Sequence, residues 1–319
     1  MGRGDFLPGM RGRRFMGVKE QTQHIGHPSE SAMHGKDGGG VAPRSPLWSR
    51  LKQSLKSALG WIMFQSRLYR WILPDRAVIV VFHRVDNRYP GNGITATSDE
   101  FERFVKFFHQ FFRIVPLSEL LQGMRSEQRL RGLLVITFDD GYADNVLLAA
   151  PILARYKAPA CFFVTTGMIE SEIQPSWDQR SGITSEWMTW AQVRALRAAG
   201  HEIGAHTVTH PDLATLDVDS ARQEIRGARQ RLEQELGEPI TLFAYPYGGR
   251  SSITEAVRRI VREEGFVCCL GAYGGTVGCQ DDPLALPRIP VSPWFRSPYQ
   301  FGFELLTGQL NSDDGTVVT

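Results

Sequence analysis

Two stretches of the chain are apolar at nearly every position and turn polar only at their ends. They are Ala77-Val78-Ile79-Val80-Val81-Phe82-His83-Arg84-Val85 and Leu133-Leu134-Val135-Ile136-Thr137-Phe138-Asp139-Asp140-Gly141. Runs without polar alternation predict strands buried on both faces, as in a parallel sheet. Carboxylates are expensive inside such a sheet, so Asp139 and Asp140 belong where the second strand ends. Helical spacing marks Ser98 to Phe112, a segment near Ser118 to Met124, Asp144 to Tyr156, and Met188 to Ala199, which Gly200 stops. Asp217 is expected to cap a long helix that runs to Leu236 and ends at Gly237. Further helices are expected over Ile253 to Glu264 and near Tyr299 to Leu306. Ile114 to Pro116 lies between the first two helical segments, and Ala160 to Thr165, His201 to His206, Ile240 to Ala244, Phe266 to Leu270 and Leu286 to Val291 read as strands. This alternation predicts an α/β fold of parallel strands with helical crossovers. A complete eight-stranded barrel takes ~250 residues, and the alternating region is somewhat shorter. The expected fold is therefore a distorted or incomplete (β/α) barrel.

The regions outside that alternation differ in kind. Residues 1–45 are rich in Gly, Arg, His and Ser and carry no apolar periodicity, which reads as a disordered tail. His24, His27 and His34 lie in it as solvated residues, and Met33 is an alternative start. From Trp48 to Ile72, Trp48, Leu51, Leu55, Leu59 and Ile62 recur at three- and four-residue spacing among Arg50, Lys52, Lys56, Arg67 and Arg70. That is a basic amphipathic segment, interrupted near Gly60. Two readings are open for it: a helix packed on the α/β domain, or peripheral contact with a membrane. The expected organisation is a tail (1–45), an amphipathic helical segment (46–75), an α/β domain (76–307) and a C-terminal tail (308–319).

Composition adds limits. The 319 residues are 42% hydrophobic and 22% charged, with a net charge of +2. Residues 1–45 hold seven Lys/Arg against four Asp/Glu, so the remainder is close to neutral, and nothing favours nucleic acid as a partner. Cys161, Cys268, Cys269 and Cys279 form no metal-type pair, and the first three sit in apolar runs as buried free thiols would. No secretory signal pattern is visible, and no apolar run approaches the ~18 residues of a spanning helix. These features together lead us to expect a cytoplasmic location or one peripheral to the inner membrane face.

The chemistry starts from the strand ends. Neighbouring strand residues point to opposite faces, so Asp139 and Asp140 need not share one task, although Asp-Gly is also a common turn dipeptide. His206-Thr207-Val208-Thr209-His210 places two imidazoles four apart, which on a helical turn would share a face. Two His and a carboxylate form a set that leaves coordination positions open for water and substrate.

In the order T-F-D-D-G (137–141), H-T-V-T-H (206–210) and Y-P-Y-G (245–248), the chain resembles the polysaccharide deacetylase family, the NodB-homology or carbohydrate esterase 4 group, over roughly residues 77–295. The resemblance implies a distorted (β/α) barrel. It also implies a divalent metal, usually zinc, held by Asp140, His206 and His210, with Asp139 as general base. Two departures stand out. The family's third motif carries an Arg before its Pro-containing turn, where this chain reads Phe243-Ala244-Tyr245-Pro246; Arg288 is a candidate replacement. The family's late general-acid His is missing, since no His follows His210. Val81-Phe82-His83-Arg84-Val85 resembles an exopolysaccharide-deacetylase subgroup with this His on an early strand.

The implied reaction is removal of N-acetyl groups from N-acetylhexosamine units of a polysaccharide or glycolipid. Asp139 takes a proton from the attacking water, the backbone N–H of Tyr247 and the metal stabilise the oxyanion, and His83 protonates the leaving amine. Tyr142, Trp177, Trp187, Trp190 and Trp294 are candidate sugar-facing aromatics, with core packing the alternative for most of them. Two other readings are a catalytically inactive carbohydrate-binding relative, suggested by the missing motif Arg, and a glycosidase using Asp139 and Asp140. Glycosidase carboxylates flank the scissile bond from opposite sides, which chain neighbours do poorly.

Overall fold

The computed structural model describes residues 46–291 and 295–311. The expectations for residues 1–45, Trp294 and residues 312–319 lie outside the described residues. Ten strands occur among them: β1 (Val78–Phe82), β2 (Arg84–Val85), β3 (Thr95–Ala96), β4 (Arg113–Ile114), β5 (Leu133–Phe138), β6 (Cys161–Val164), β7 (Glu202–Ala205), β8 (Leu242–Ala244), β9 (Cys268–Leu270) and β10 (Ile289–Pro290). The main sheet runs β10-β1-β5-β6-β7-β8-β9, all parallel, with β4 paired to β5 outside this path. The sheet curls until Leu286, just ahead of β10, forms a parallel bridge to Leu270 of β9. A single bridge thus links the two ends, giving a distorted (β/α) barrel.

The two-residue period of the strands explains where the polar residues go. On β1 and β5, Val78, Val80, Phe82, Leu134, Ile136 and Phe138 pack outward with helix residues such as Phe101, Phe108 and Val105. Ala77, Ile79, Leu133 and Val135 belong instead to a second buried cluster with Phe163, Ala244, Leu270 and Leu286. Continuing the inward parity past the apolar layers reaches His83, Thr137, Asp139, His206 and Arg288. Apolar side chains fill one end of the barrel, and the same inward positions become polar toward the carboxyl ends of β1, β5 and β7, with Arg288 entering from just ahead of β10.

Helix boundaries follow local chemistry. The helices Ser98–Phe111 and Trp190–Ala198 each start with a capping box, Thr97 with Glu100 and Thr189 with Gln192. Asp217 accepts from the Ser220 amide at the head of Val218–Leu236, and Gly237 ends that helix at φ 69°. The segment after Asp144 departs from the expected single helix. Asn145–Ala149 is a π-helical turn, and only Ala150–Arg155 is α-helical. Pro151 lacks the N–H that an α-helical ladder would need at that point, which favours a widened turn before it.

The basic amphipathic segment is also corrected. Pro46–Gln65 is one helix that runs through Gly60 without interruption, and a short helix, Tyr69–Ile72, follows. The break falls at Arg67, which has φ 62°. Gly60 serves a different purpose: a Cβ there would lie 2.0 Å from the Tyr299 carbonyl oxygen in the helix Pro298–Leu306. The residue lets two helix backbones touch. Phe64, fully buried, stacks on Tyr69 and meets Phe107 and Phe111, so the segment packs on the barrel by this face.

Candidate active site

Asp139 ends β5 with its amide donating to the Phe82 carbonyl, and its carboxylate meets Arg288 through two parallel bonds of 2.7 and 2.6 Å. Arg288 is fully buried; its Nε donates to the Gly271 carbonyl and one terminal nitrogen reaches Thr137 Oγ1. The fork is therefore committed in every direction before any substrate arrives. Burial alone would push the Asp139 carboxyl up. The Arg288 charge, then the His206 imidazole, more than reverse this and hold it below the usual carboxylate range.

Asp140 faces elsewhere because its backbone is left-handed, with φ 75°. Its Oδ1 lies 3.4 Å from His206 Nε2 and 3.3 Å from His210 Nε2, and all three groups are buried. His206 Nδ1 donates to the Ala244 carbonyl at 2.8 Å, which leaves its Nε2 as the lone-pair nitrogen turned toward Asp140. Burial opposes ionisation of Asp140, but the charge that the facing imidazoles carry when protonated, His206 first, overcomes it and holds the carboxyl well below its ordinary value. The imidazoles diverge: His206 is raised despite burial by Asp139 and Asp140, whereas burial brings His210 down to about 4.

The helical turn expected for the two histidines is absent. Residues 206–210 form a bend in which Thr207 and His210 are left-handed, at φ 65° and 62°. Glu224, on Val218–Leu236, accepts from the Val208 and Thr209 amides and the Thr209 hydroxyl, and Thr207 Oγ1 accepts from the His210 amide. Side chains from a distant helix thus impose the turn that brings the imidazoles together. Left-handed backbone at Asp140, Thr207, His210 and Tyr247 is strain concentrated at one place.

This donor set fits a divalent ion. Asp140 Oδ1 is buried with no donor aligned on it, an arrangement that otherwise costs roughly 1–3 kcal/mol. Tetrahedral bonds of about 2.0–2.2 Å place ligand atoms about 3.4 Å apart, which matches the separations of Asp140 Oδ1 from the two imidazoles. The Ala244 carbonyl supplies the outer partner that fixes a ligating imidazole.

Asp139, Asp140, His206 and His210 open onto a cavity of about 330 Å³ that His83, Trp177, Tyr245, Tyr247 and Pro290 also line. The His83 carbonyl accepts from Asn145 Nδ2, so the π-helical turn is tied to this wall. Tyr247 is left-handed, and its amide makes no hydrogen bond among the described residues. The Trp177 ring lies 4.8 Å from that of His210, and its indole donates to Tyr142 Oη. Tyr142, Trp187 and Trp190 are buried away from the cavity surface, Tyr142 stacked on Trp187 and Trp190 under Arg231. One group went unnoticed in the sequence: Arg84 pairs with Asp178 at 2.5 Å and lies 3.7 Å from Asp144, with all three side chains buried. Only the adjacency of Arg84 to His83 hinted at it.

Residues 127–268 match the family model described as polysaccharide deacetylase. YxkH of Bacillus subtilis (strain 168), a protein named only by family as a polysaccharide deacetylase, is 24% identical over 222 residues, 69% of this chain and 73% of that one. The chitooligosaccharide deacetylase of Rhizobium leguminosarum bv. trifolii is 29% identical over 100 residues, 30% of this chain and 38% of that one. The structure of IcaB from Ammonifex degensii aligns with a TM-score of 0.61 at 24% identity, over 73% of this chain and 98% of that one. Streptococcus pyogenes deacetylase PplD, in complex with acetate, aligns at 0.61 and 22%, over 72% and 97%. At these identities the structural likeness is one of fold.

Proposed function

The chain belongs to the polysaccharide deacetylase family, and from that premise we propose that it is a divalent-metal-dependent hydrolase. Its substrate would be the N-acetyl groups on N-acetylhexosamine units of a polysaccharide or glycolipid, with zinc as the metal. The observation that carries this reading is the convergence of Asp140, His206 and His210 on one point beside an Asp139 already committed to Arg288. A bound ion would polarise the amide carbonyl and acidify its water.

The remaining work falls to side chains of this chain. Asp139, kept ionised by Arg288, takes the proton from the attacking water; a carboxylate held so low is a weak base, so it suits only an acidified donor. The Tyr247 amide donates to the oxygen that gains negative charge. His83, which lines the same cavity, protonates the departing amine. Its place just after the early strand β1 resembles the arrangement of the exopolysaccharide-deacetylase subgroup. The inactive-relative reading drew on the missing motif Arg, and Arg288 makes the contact to the base that such an Arg would make.

Metal analysis combined with acetate release from N-acetylated oligosaccharides tests the proposal. Dipicolinate should abolish turnover and zinc should restore it. Asp139→Asn should lose turnover yet retain metal near the wild-type level; loss of metal in that variant would reassign the roles. His83→Ala should keep metal and slow turnover by roughly 10²–10⁴.

A further inference from the structure

The helix Pro46–Gln65 is built inside out. Its inward face carries Ser57, Gly60 and Phe64, while Leu51, Leu55 and Ile62 on the opposite side are 59%, 58% and 54% exposed. The apolar surface continues past the break, with Trp71 at 85%. Residues 46–74 contain five Lys/Arg and no Asp or Glu. Lys56 pairs with Glu304, and among the described residues Arg50, Lys52, Arg67 and Arg70 have no ion-pair partner.

We propose that this face docks on an anionic lipid surface, with the helix lying in the plane of the headgroups. Leucine and tryptophan on one side with unpaired cations along the flanks is the pattern of an interfacial helix, and Trp favours the headgroup level. Spanning is a different matter: no helix among the described residues is long and apolar enough to cross a membrane. A second copy of the chain fits less well. A two-fold contact would set this acid-free stretch against itself, like charge on like charge. The inference is independent of the reaction assigned above, since none of these residues lines the cavity.

The test is co-sedimentation of the full chain with vesicles of phosphatidylcholine alone or with about three parts in ten phosphatidylglycerol. Wild type should partition onto the anionic vesicles and release partly as salt rises, because surface charges are screened beyond about 10 Å at 0.1 M. The double substitution Leu55→Glu with Ile62→Glu should lower partitioning at least tenfold, and Arg67→Gln with Arg70→Gln should lower it only on anionic vesicles. The second pair keeps the apolar surface intact, so it guards against a fold defect in the first; thermal melts verify both. Binding by Leu55→Glu with Ile62→Glu equal to wild type would overturn the proposal, as would no vesicle binding at all. Sedimentation velocity showing a dimer that these variants dissolve, without vesicle binding, would instead make the face a contact between copies.

Discussion

The strand ends and the first helix break the same rule in opposite directions. At the carboxyl ends of β5 and β7, and at Arg288 just ahead of β10, ionisable side chains are buried; along Pro46–Gln65, leucines are exposed. The difference lies in compensation. Each buried charge at the strand ends has an internal partner or a geometry that awaits one ion, as with Arg288 on Asp139 and the Ala244 carbonyl on His206. Nothing among the described residues covers Leu51 or Leu55. Buried polarity that is satisfied internally serves a site within the fold, whereas exposed apolar surface beside unpaired cations calls for something outside it.

The largest effect should come from breaking the compensation. Arg288→Met leaves Asp139 buried and unpaired and should cost about 3–5 kcal/mol in denaturant unfolding. Adding Asp139→Asn removes the stranded charge and should recover much of that loss. A single variant within about 1 kcal/mol of wild type would mean that the pair matters little for folding.

An intermediate effect depends on pH. Asp144 is buried, and burial raises its carboxyl from 3.8 to about 7 against the pull of the Val85 amide and Arg84. The folded chain thus holds a proton that the unfolded chain releases between those values. The contribution of Asp144 is most favourable below about pH 4 and declines as pH rises to about 7. Asp144→Asn keeps an acceptor for Val85, so its Tm relative to wild type should improve from about pH 5 to about pH 8. A constant Tm difference across that range would count against burial as the cause.

The smallest effect sharpens the other side. Leu51→Gln and Leu55→Gln should each change unfolding stability by no more than about 0.5 kcal/mol, because neither side chain is withdrawn from water. A loss of several kcal/mol on either would show that the face is already covered in the full chain.

Much of the fold was legible because its signals are local. Apolar runs marked the strands; Asp217, Gly237 and Gly200 marked helix ends by chemistry acting within a few residues. What escaped depends on distance. The bend at 206–210 is set by Glu224, the widened turn at Asn145–Ala149 ties to His83, and Arg84 finds Asp178 across 94 positions. Periodicity carries no trace of such pairings. Gly60 was misread for a related reason: inside a helix glycine is ordinarily a weak point, and only the neighbouring Tyr299 backbone gives it a use.

That glycine also bears on how the chain can be shortened. Because Gly60 seats against Tyr299, while Gly302 accommodates Phe64 and Phe107, the opening and closing helices of the domain clasp one another. A fragment trimmed ahead of Pro298 would lay the phenylalanine stack bare and cast the first helix adrift. Expression boundaries drawn around the catalytic motifs alone would therefore yield a sticky, poorly soluble product.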